Sequence, residues 1–436
     1  MSDSVLPLAM AALTLTGILA GYRIGMVLAG AAALFILISD LPVAYFNLLV
    51  SRIYANVLSN WLLVAIPMFI LMGLILEISG VAERSLRAAQ RALGGSAAGM
   101  GISVLVIGVL LAASSGIVGA SVVLLALLAL PRLEEAGYDK PTSAGLVASS
   151  GTLAILIPPS VMLIVLGDQL QTPVPAMFAG AIWPGLILVG CYGLYILWRA
   201  RKLPPMTNVD RVPPWRLLVD LGPLLALVIS VLGSIISGLA TPTEASGLGA
   251  FGAVLITLIY GRFSVAMLME AARKTVITTA IVLFVMIGAT CFSAVFKGVG
   301  GDDLVEAGIM AFGSDPYTVL AVVMAAIFIL GFVLDWLEIT LILIPIFAPI
   351  VAGLDFGNGL AGRDLLVWFG ILVAVNLQTS FLTPPFGFSL FYLRGAAGDR
   401  LTTPQIYRGV APFIALQVAV LVALILFPGL ITGFSP

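Results

Sequence analysis

Histidine is absent from this chain of 436 residues, and charged residues make up only 9% of it. Without imidazole there is no Ser-His or Cys-His catalytic pair and no histidine metal site. Cys191 and Cys291 lie inside apolar runs, so we expect small buried thiols rather than a disulfide. A net charge of -1 with no basic tail offers no electrostatic footprint for nucleic acid.

Apolar sequence is what the chain has in abundance, at 61% hydrophobic residues and a mean hydropathy of +1.18. A backbone in lipid must bond internally, and these runs are continuous rather than alternating, which favours helices over a barrel. The sequence therefore predicts an all-α polytopic membrane protein. The first run lacks a basic leader, so we expect a retained span rather than a signal peptide. Full spans are predicted at 6–22, 24–38, 61–78, 177–197, 217–237, 245–260, 276–296 and 411–427.

Two runs, 100–131 and 319–351, carry polar interruptions at mid-length, "AASSGIVGAS" and "VLDWLEI". Each is expected to form two half-length helices. A helix of about 12 residues rises roughly 18 Å, too little to cross a hydrocarbon core of about 30 Å. The pattern therefore predicts two re-entrant helical hairpins.

Two further segments, 143–167 and 366–393, are long enough to cross but contain Pro158-Pro159 and Pro384-Pro385. Proline lacks an N–H, and its ring displaces the carbonyl four residues back. Carbonyls freed in hydrocarbon need a partner, and a sodium ion at the helix break is the expected one. The freed carbonyls are predicted to be those of Ala154, Ile155, Ser380 and Phe381.

Polar side chains flank these breaks and the first hairpin tip, and they have bland explanations as well. A single proline kink often sets packing only, but the duplicated pair favours function. Gly116, Gly119 and Ala120 either allow close helix contact or serve a cation. Asp335 in "DWLE" is either an ion ligand or a helix cap to which Glu338 folds back.

The basic residues test the topology independently. If the loop with Arg84, Arg87 and Arg91 is cytoplasmic, only Arg52, Lys297 and Arg363 of the 20 Lys and Arg residues fall outside. This distribution places both termini on the periplasmic side. The first hairpin then opens from the cytoplasm, and the second opens from the external face.

The same order of segments occurs twice, in residues 1–201 and 217–436, around a cytoplasmic linker at 202–216. Each half has two spans, an amphipathic arm (43–59 and 263–274), a third span, a hairpin, a Pro-Pro-broken helix and a closing span. "IPPSVMLIVLG" corresponds to "TPPFGFSLFYL", and Pro131 to Pro349. Inverted repeats with broken helices at matching positions indicate a secondary transporter with its site near the bilayer midplane.

Four colinear stretches carry a family resemblance: "AIPMFILMGLILEISGVAERSL", "LPRLEEAGYDKPTSAGLVASSGTLAILIPPS", "TPTEASGLGAFGAV" and "VNLQTSFLTPPFGFSLFYL". Together they resemble the large membrane subunit of tripartite ATP-independent periplasmic (TRAP) transporters over nearly the whole chain. "LDWLEI" and "FGFSLFYLRG" look closer to the mannitol or chloroaromatic branch than to the sialic-acid branch.

The resemblance implies a sodium-driven elevator importer of organic carboxylates in the bacterial inner membrane. Its implied partners are a small four-helix membrane subunit, expected as a separate polypeptide, and a periplasmic substrate-binding protein. The implied sodium ligands are Ser114, Ser115, Gly116, Ser149, Gly151 and Thr152 at one site, and Leu334, Asp335, Thr383, Pro385 and Gly387 at the other. The candidate substrate contacts are Ser121, Pro158, Pro159, Asn376, Gln378 and Thr379.

Two other functions remain open from the sequence. A stand-alone sodium/dicarboxylate or arsenite-type ion transporter would share the hairpin plan but need no binding protein. An intramembrane enzyme would need a convergent acid, base or nucleophile, and the chain offers only Asp335 and Glu338 near one hairpin tip.

Overall fold

A computed structural model describes residues 5–93, 95–115, 118–204, 214–357 and 359–433, and the regular elements in these residues are helices. The first half contains α1 (Val5–Leu19), α2 (Ile24–Ile38), α3 (Tyr45–Ile53), α4 (Ala65–Ile78), α5 (Val81–Leu93), α6 (Ala97–Ser115), α7 (Val118–Glu135), α8 (Lys140–Thr152), α9 (Val161–Gln169) and α10 (Val174–Ala200). The second half contains α11 (Pro214–Ile236), α12 (Pro242–Ile259), α13 (Val265–Gly298), α14 (Gly301–Met310), α15 (Pro316–Leu330), α16 (Trp336–Ile342), α17 (Ile344–Ala352), α18 (Gly362–Leu382), α19 (Phe388–Ala397), α20 (Thr403–Leu426) and α21 (Gly429–Thr432).

Within the described residues, six helical segments are long and apolar enough to cross a membrane. They are Trp61–Ile78, Val174–Ala200, Pro242–Ile259, Val265–Gly298, Gly362–Leu382 and Thr403–Leu426. Shorter apolar helices accompany them, including α1, α2 and α15. The chain is therefore an all-helical, polytopic membrane protein.

Both proline pairs lie in gaps between helices. In the first half α8 ends at Thr152, a short 3-10 turn covers Leu153–Ile155, and α9 begins at Val161. In the second half α18 ends at Leu382 and α19 begins at Phe388. Both Pro-Pro peptide bonds are cis.

The helices on either side of the first polar interruption are longer than predicted. Helices α6 and α7 contain 19 and 18 residues, which correspond to about 27 Å or more of rise each. The half-length prediction is therefore wrong here, because α6 begins at Ala97, before the predicted run, and α7 continues beyond it to Glu135. In the second interruption α15 is followed by two short helices, α16 and α17, since Pro345 starts a new helix at the first turn of α17.

The two amphipathic arms also differ from each other. The first comprises α3 and a π-helical turn at Tyr54–Leu58, and a 3-10 turn at Trp61–Val64 leads into α4. The second was predicted as a separate surface segment, but it forms the first turns of α13, a continuous helix of 34 residues. The reason is local: α13 contains no proline and has no glycine before Gly288.

Helices of the two halves pack in reciprocal pairs. Helix α4 packs on α12 and α2 packs on α13; α8 packs on α20 and α10 packs on α18; α7 packs on α19 and α9 packs on α16. The core is centred on α8, α9 and α18, whose residues are almost all buried. This arrangement places the two interrupted helices at the centre of the molecule.

Candidate functional site

The two helix breaks meet through one side-chain contact. The Gln378 amide of α18 donates to the Thr152 hydroxyl at the end of α8, with 3.5 Å between Nε2 and Oγ1. Both side chains are fully buried. A candidate substrate residue of one half thus lies against a candidate sodium ligand of the other.

At the first break, hydroxyl groups point back to their own helix. Thr152 Oγ1 donates to the Ser149 carbonyl at 2.9 Å, and Ser149 Oγ donates to the Leu146 carbonyl at 3.2 Å. Gly151 faces Val122 of α7, and a Cβ there would lie 2.4 Å from its Cγ2. Gly151 therefore allows α8 and α7 to approach closely, whatever its relation to a cation.

The predicted free carbonyls have protein donors. Ser160 Oγ donates to the Ile155 carbonyl at 2.9 Å, and Ser389 Oγ donates to the Phe381 carbonyl at 2.6 Å. The Ser380 carbonyl accepts from the Thr383 N–H at 3.0 Å. The expectation that these three carbonyls depend on a cation for a partner is therefore wrong. The missed signal was a serine downstream of each Pro-Pro pair, visible in "IPPS" and "TPPFGFS".

At the second break, hydroxyl groups also donate to carbonyls of their own helix. Thr379 Oγ1 donates to the Val375 carbonyl at 2.8 Å, and Thr383 Oγ1 donates to the Thr379 carbonyl at 2.7 Å. The Pro385 carbonyl accepts from the Tyr407 hydroxyl of α20 at 3.0 Å. The Gly387 N–H closes the turn on the Thr383 carbonyl at 3.1 Å.

Helix α18 is tied to α15 by two side chains. Asn376 Nδ2 donates to the Met324 carbonyl at 2.8 Å, and Ser380 Oγ donates to the Phe328 carbonyl at 2.8 Å. Asn376, a candidate substrate contact, thus uses its amide N–H to hold the second hairpin in place. Its neighbour Gln378 differs, because its Oε1 is buried without a hydrogen-bond partner among the described residues.

Asp335 is the N-cap of α16, and its carboxylate accepts from the Trp336 N–H at 2.8 Å. Glu338 lies in the first turn of α16 and is buried. Its second oxygen, Oε2, is buried with no partner among the described residues. Asp335 therefore has the geometry of a helix cap, which was one of the two alternatives. Leu334, the residue before it, is buried.

The tip of the first hairpin is described only in part. Ser114 and Ser115 end α6 and are described by their backbone alone, and Gly116 lies outside the described residues. Ser121 of α7 is buried, as are Pro158 and Pro159. Gly119 lies against the Tyr392 ring of α19, where an added Cβ would come within 2.8 Å of the ring. This contact agrees with the close-packing alternative for the small residues of the tip.

Two polar residues near Gln378 were not singled out from the sequence. Tyr192 of α10 and Gln417 of α20 are fully buried, and Tyr192 lies beside both glutamines. Gln417 is the one polar side chain in the apolar run 411–427, and a polar residue within a membrane span indicates a functional role from sequence alone.

The start of α8 carries an ion pair outside the apolar core. Asp139 caps the helix through Thr142, and Arg199 at the end of α10 donates to its carboxylate at 2.5 Å. Burial alone would raise the pKa of Asp139, but the hydrogen bonds from Thr142 and Arg199 and the charge of Arg199 together lower it. Asp139 therefore joins α8 to α10 as a carboxylate.

Residues 8–430 match the family model for the "Tripartite ATP-independent periplasmic transporter, DctM component". The chain belongs to this TRAP transporter family, as a large membrane subunit. It is 30% identical over 426 residues to the isethionate TRAP transporter permease protein DctMQ of Oleidesulfovibrio alaskensis, covering 94% of this chain and 63% of that relative. It is 29% identical to the 2,3-diketo-L-gulonate TRAP transporter large permease protein YiaN of Escherichia coli, with 88% of each chain covered. It is also 29% identical to the C4-dicarboxylate TRAP transporter large permease protein DctM of Pseudomonas aeruginosa, with 85% of each covered.

The fold is similar to that of two solved transporters. The YdaH transporter of Alcanivorax borkumensis superposes with a TM-score of 0.66 at 16% identity, covering 99% of this chain and 100% of that one. MtrF of Neisseria gonorrhoeae gives 0.54 at 14% identity, with 97% of each chain covered. Membership in the TRAP family makes the chain a multi-pass inner-membrane transport protein and removes the intramembrane-enzyme alternative.

Proposed function

We propose that this TRAP subunit imports a small organic acid by sodium-coupled secondary transport, with the solute delivered by a periplasmic binding protein. The observation that carries the proposal is the meeting of the two helix breaks at Gln378 and Thr152, inside a chain of this family. Interrupted helices at the centre of a membrane protein place polar backbone and side-chain groups where a solute and its coupling ions can bind.

The packing of the helices supports two inverted repeats that move as an elevator. For example, α8 of the first half packs on α20 of the second half, and their counterparts α18 and α10 pack on each other in the same way. A two-fold relation between halves produces such reciprocity. The proposed moving unit comprises both hairpins and both broken helices. The frame comprises the opening spans and the arms at 43–59 and 263–274.

The hydroxyl groups at the breaks support sodium as the coupling ion. Ser149, Thr152, Thr379 and Thr383 each donate their proton to a backbone carbonyl of their own helix. A hydroxyl whose proton is committed offers only lone pairs to other groups. Such oxygens suit a hard cation, as does Gln378 Oε1, which has no hydrogen-bond partner in the part of the chain that the structure describes.

The names of the relatives support the solute class. Isethionate, 2,3-diketo-L-gulonate and C4-dicarboxylates are all small organic anions. We propose an anion of this class for the present chain. The proposed partners are a small membrane subunit, docked on a lipid-facing side of the frame, and the binding protein on the external face.

Reconstitution tests the proposal directly. The large and small subunits in liposomes, with the binding protein outside, should accumulate the solute under an inward sodium gradient and stop when sodium is replaced by choline. Free solute in excess should not replace the binding protein. Robust sodium-driven uptake by the large subunit alone would instead favour the stand-alone transporter.

A further inference from the structure

A small polar cavity lies between the proposed frame and the proposed moving unit. Its volume is about 170 Å³. The frame contributes α3 and the π turn after it, and the moving unit contributes the end of α9 and the helices α16 and α17. The part of α13 that continues beyond the second arm lines the remaining side. The lining residues are Arg52, Asn56, Gln169, Met286, Ala289, Thr290, Ser293, Lys297, Leu341 and Pro345.

Two cations converge on this cavity from separate elements. Arg52 comes from α3 and Lys297 from the end of α13, and these are two of the three basic residues that the charge pattern assigns to the outside. Asn56 and Gln169 add amide groups, and no Asp or Glu is among the described residues that line the cavity. Two carboxylates bond to residues that line the cavity: Asp302 pairs with Lys297, and Asp168 accepts from Gln169.

These neighbouring groups define the charge of the cavity. Asp302 lies 3.3 Å from Lys297, whose ammonium also donates to the Pro345 carbonyl at 3.2 Å. Asp168 accepts from Asn60 at 2.7 Å and from Gln169 at 3.0 Å. Arg52, by contrast, has no carboxylate within ion-pair distance among the described residues, so its guanidinium is left for an anion that enters the cavity.

A structural explanation exists for each cation alone. Arg52 and Lys297 both occupy the last turn of a helix, where a cation interacts favourably with the negative end of the dipole. The helix dipole explains each cation separately, but it does not explain why both side chains line one cavity together with the amide groups of Asn56 and Gln169. Guanidinium and ammonium groups in a concave site at the membrane boundary suit a carboxylate.

We infer that this cavity is an external receiving site for the carboxylate group of the solute, between the binding protein and the central breaks. The inference rests on the proposed function and on the proposed orientation. It assigns Arg52 as the principal carboxylate ligand and Lys297 as the second. A carboxylate here also competes with the Pro345 carbonyl for Lys297 and so weakens one tie between α13 and the second hairpin.

The test measures charge and ligand binding at the cavity itself. Ser293→Cys is introduced into the assembled large and small subunits after Cys191→Ala and Cys291→Ala, and is labelled from outside with anionic or cationic methanethiosulfonate reagents. Relative to a simple thiol in solution, the anionic reagent should be favoured on the order of fivefold or more, since surface potentials reach several kT. Arg52→Gln and Lys297→Gln should each reduce this preference, and Arg363→Gln, the other external cation, should leave it unchanged.

Succinate serves as the ligand probe, with succinamide as its uncharged counterpart and sodium chloride at equal ionic strength. Succinate alone should slow the labelling, and Arg52→Gln should abolish the protection. Equal protection by all three solutions, or no anionic preference, would overturn the inference. Thr290→Cys gives the same readout if Ser293→Cys does not reach the membrane.

The two proposals fail separately. Binding-protein-dependent uptake without protection at Ser293→Cys refutes only the receiving site. Protection by succinate without such uptake of any organic acid refutes only the proposed function.

Discussion

Gly387 marks the point in the second break where the backbone passes closest to itself. A Cβ at this position would lie 2.5 Å from the Phe381 carbonyl oxygen and 3.0 Å from that of Thr383. Both neighbours are backbone atoms, which cannot rotate away as a side chain can. Glycine is therefore required by the shape of the break itself, independently of any sodium ion.

We predict that Gly387→Ala destabilises the protein by about 1–3 kcal/mol, the usual range for added atoms in a packed site. Gly395→Ala in the same helix is the matched control, because a Cβ there meets nothing within 4 Å. Thermal unfolding of the two variants in detergent, followed by tryptophan fluorescence, gives the comparison. Equal melting temperatures would contradict the geometry assigned to the break.

Asp139 provides a prediction for pH dependence. Its lowered pKa means that the ion pair with Arg199 stabilises the fold above the ordinary aspartate pKa and is lost as the pH falls through the folded-state value. Asp139→Asn should therefore lower the melting temperature at neutral pH, and the difference from wild type should shrink below about pH 4. Glu135→Gln, which removes an exposed pair with Arg132, should have little effect at either pH.

At the scale of elements, proline was the most informative residue. Each Pro-Pro pair removes donors and displaces carbonyls, and the helices end before it and resume after it. Helix lengths were harder to predict, because α6, α7 and α13 continue through polar residues that hydropathy treats as boundaries. In α13 the residues before Gly288 include neither Gly nor Pro, so nothing in the backbone ends the helix where the hydropathy changes.

The hydroxyl groups of the breaks give a prediction about coupling. Thr152→Ala and Thr383→Ala should each raise the sodium concentration for half-maximal uptake about tenfold, because each variant loses one oxygen ligand of the ion. A tenfold loss of affinity corresponds to roughly 1.4 kcal/mol of binding free energy. Thr152→Ser and Thr383→Ser should restore it by keeping the oxygen.

Ser230→Ala is the control for this series. Ser230 makes the same bond to its own helix, with 2.9 Å to the Leu227 carbonyl, but it lies in α11, away from the breaks. An unchanged sodium response in both threonine-to-alanine variants would remove these hydroxyls from the coupling sites.

For the whole molecule, the family motifs carried the sequence interpretation furthest. The four colinear motifs pointed to the TRAP family, and the match over residues 8–430 agrees. The contact between Gln378 and Thr152 was beyond such reasoning, because it joins residues 226 positions apart. The serines that donate to Ile155 and Phe381 are visible in the sequence, but their pairing with these two carbonyls depends on the path of the chain after each proline pair.

The prediction for the whole molecule concerns the membrane face on which each loop lies. Ala307→Cys and Lys202→Cys, each in a background without Cys191 and Cys291, should react with an impermeant maleimide from opposite faces of the membrane. The distribution of Lys and Arg predicts that Ala307 lies outside and Lys202 inside. Labelling from one face only would refute the inverted arrangement of the halves, and lysed vesicles control for reactivity.

The unbroken α13 has a consequence for the lipid. Its 34 residues correspond to about 51 Å, and the uncharged stretch between Lys274 and Lys297 to roughly 33 Å, slightly more than a hydrocarbon thickness of about 30 Å. Its counterpart, from α3 to α4, contains a π turn and a 3-10 turn and can bend there. A thinner bilayer would therefore tilt α13 as one rod while the opposite arm folds at its joints. We therefore expect the acyl-chain length of the surrounding lipid to change the tilt of α13 relative to the opposite arm.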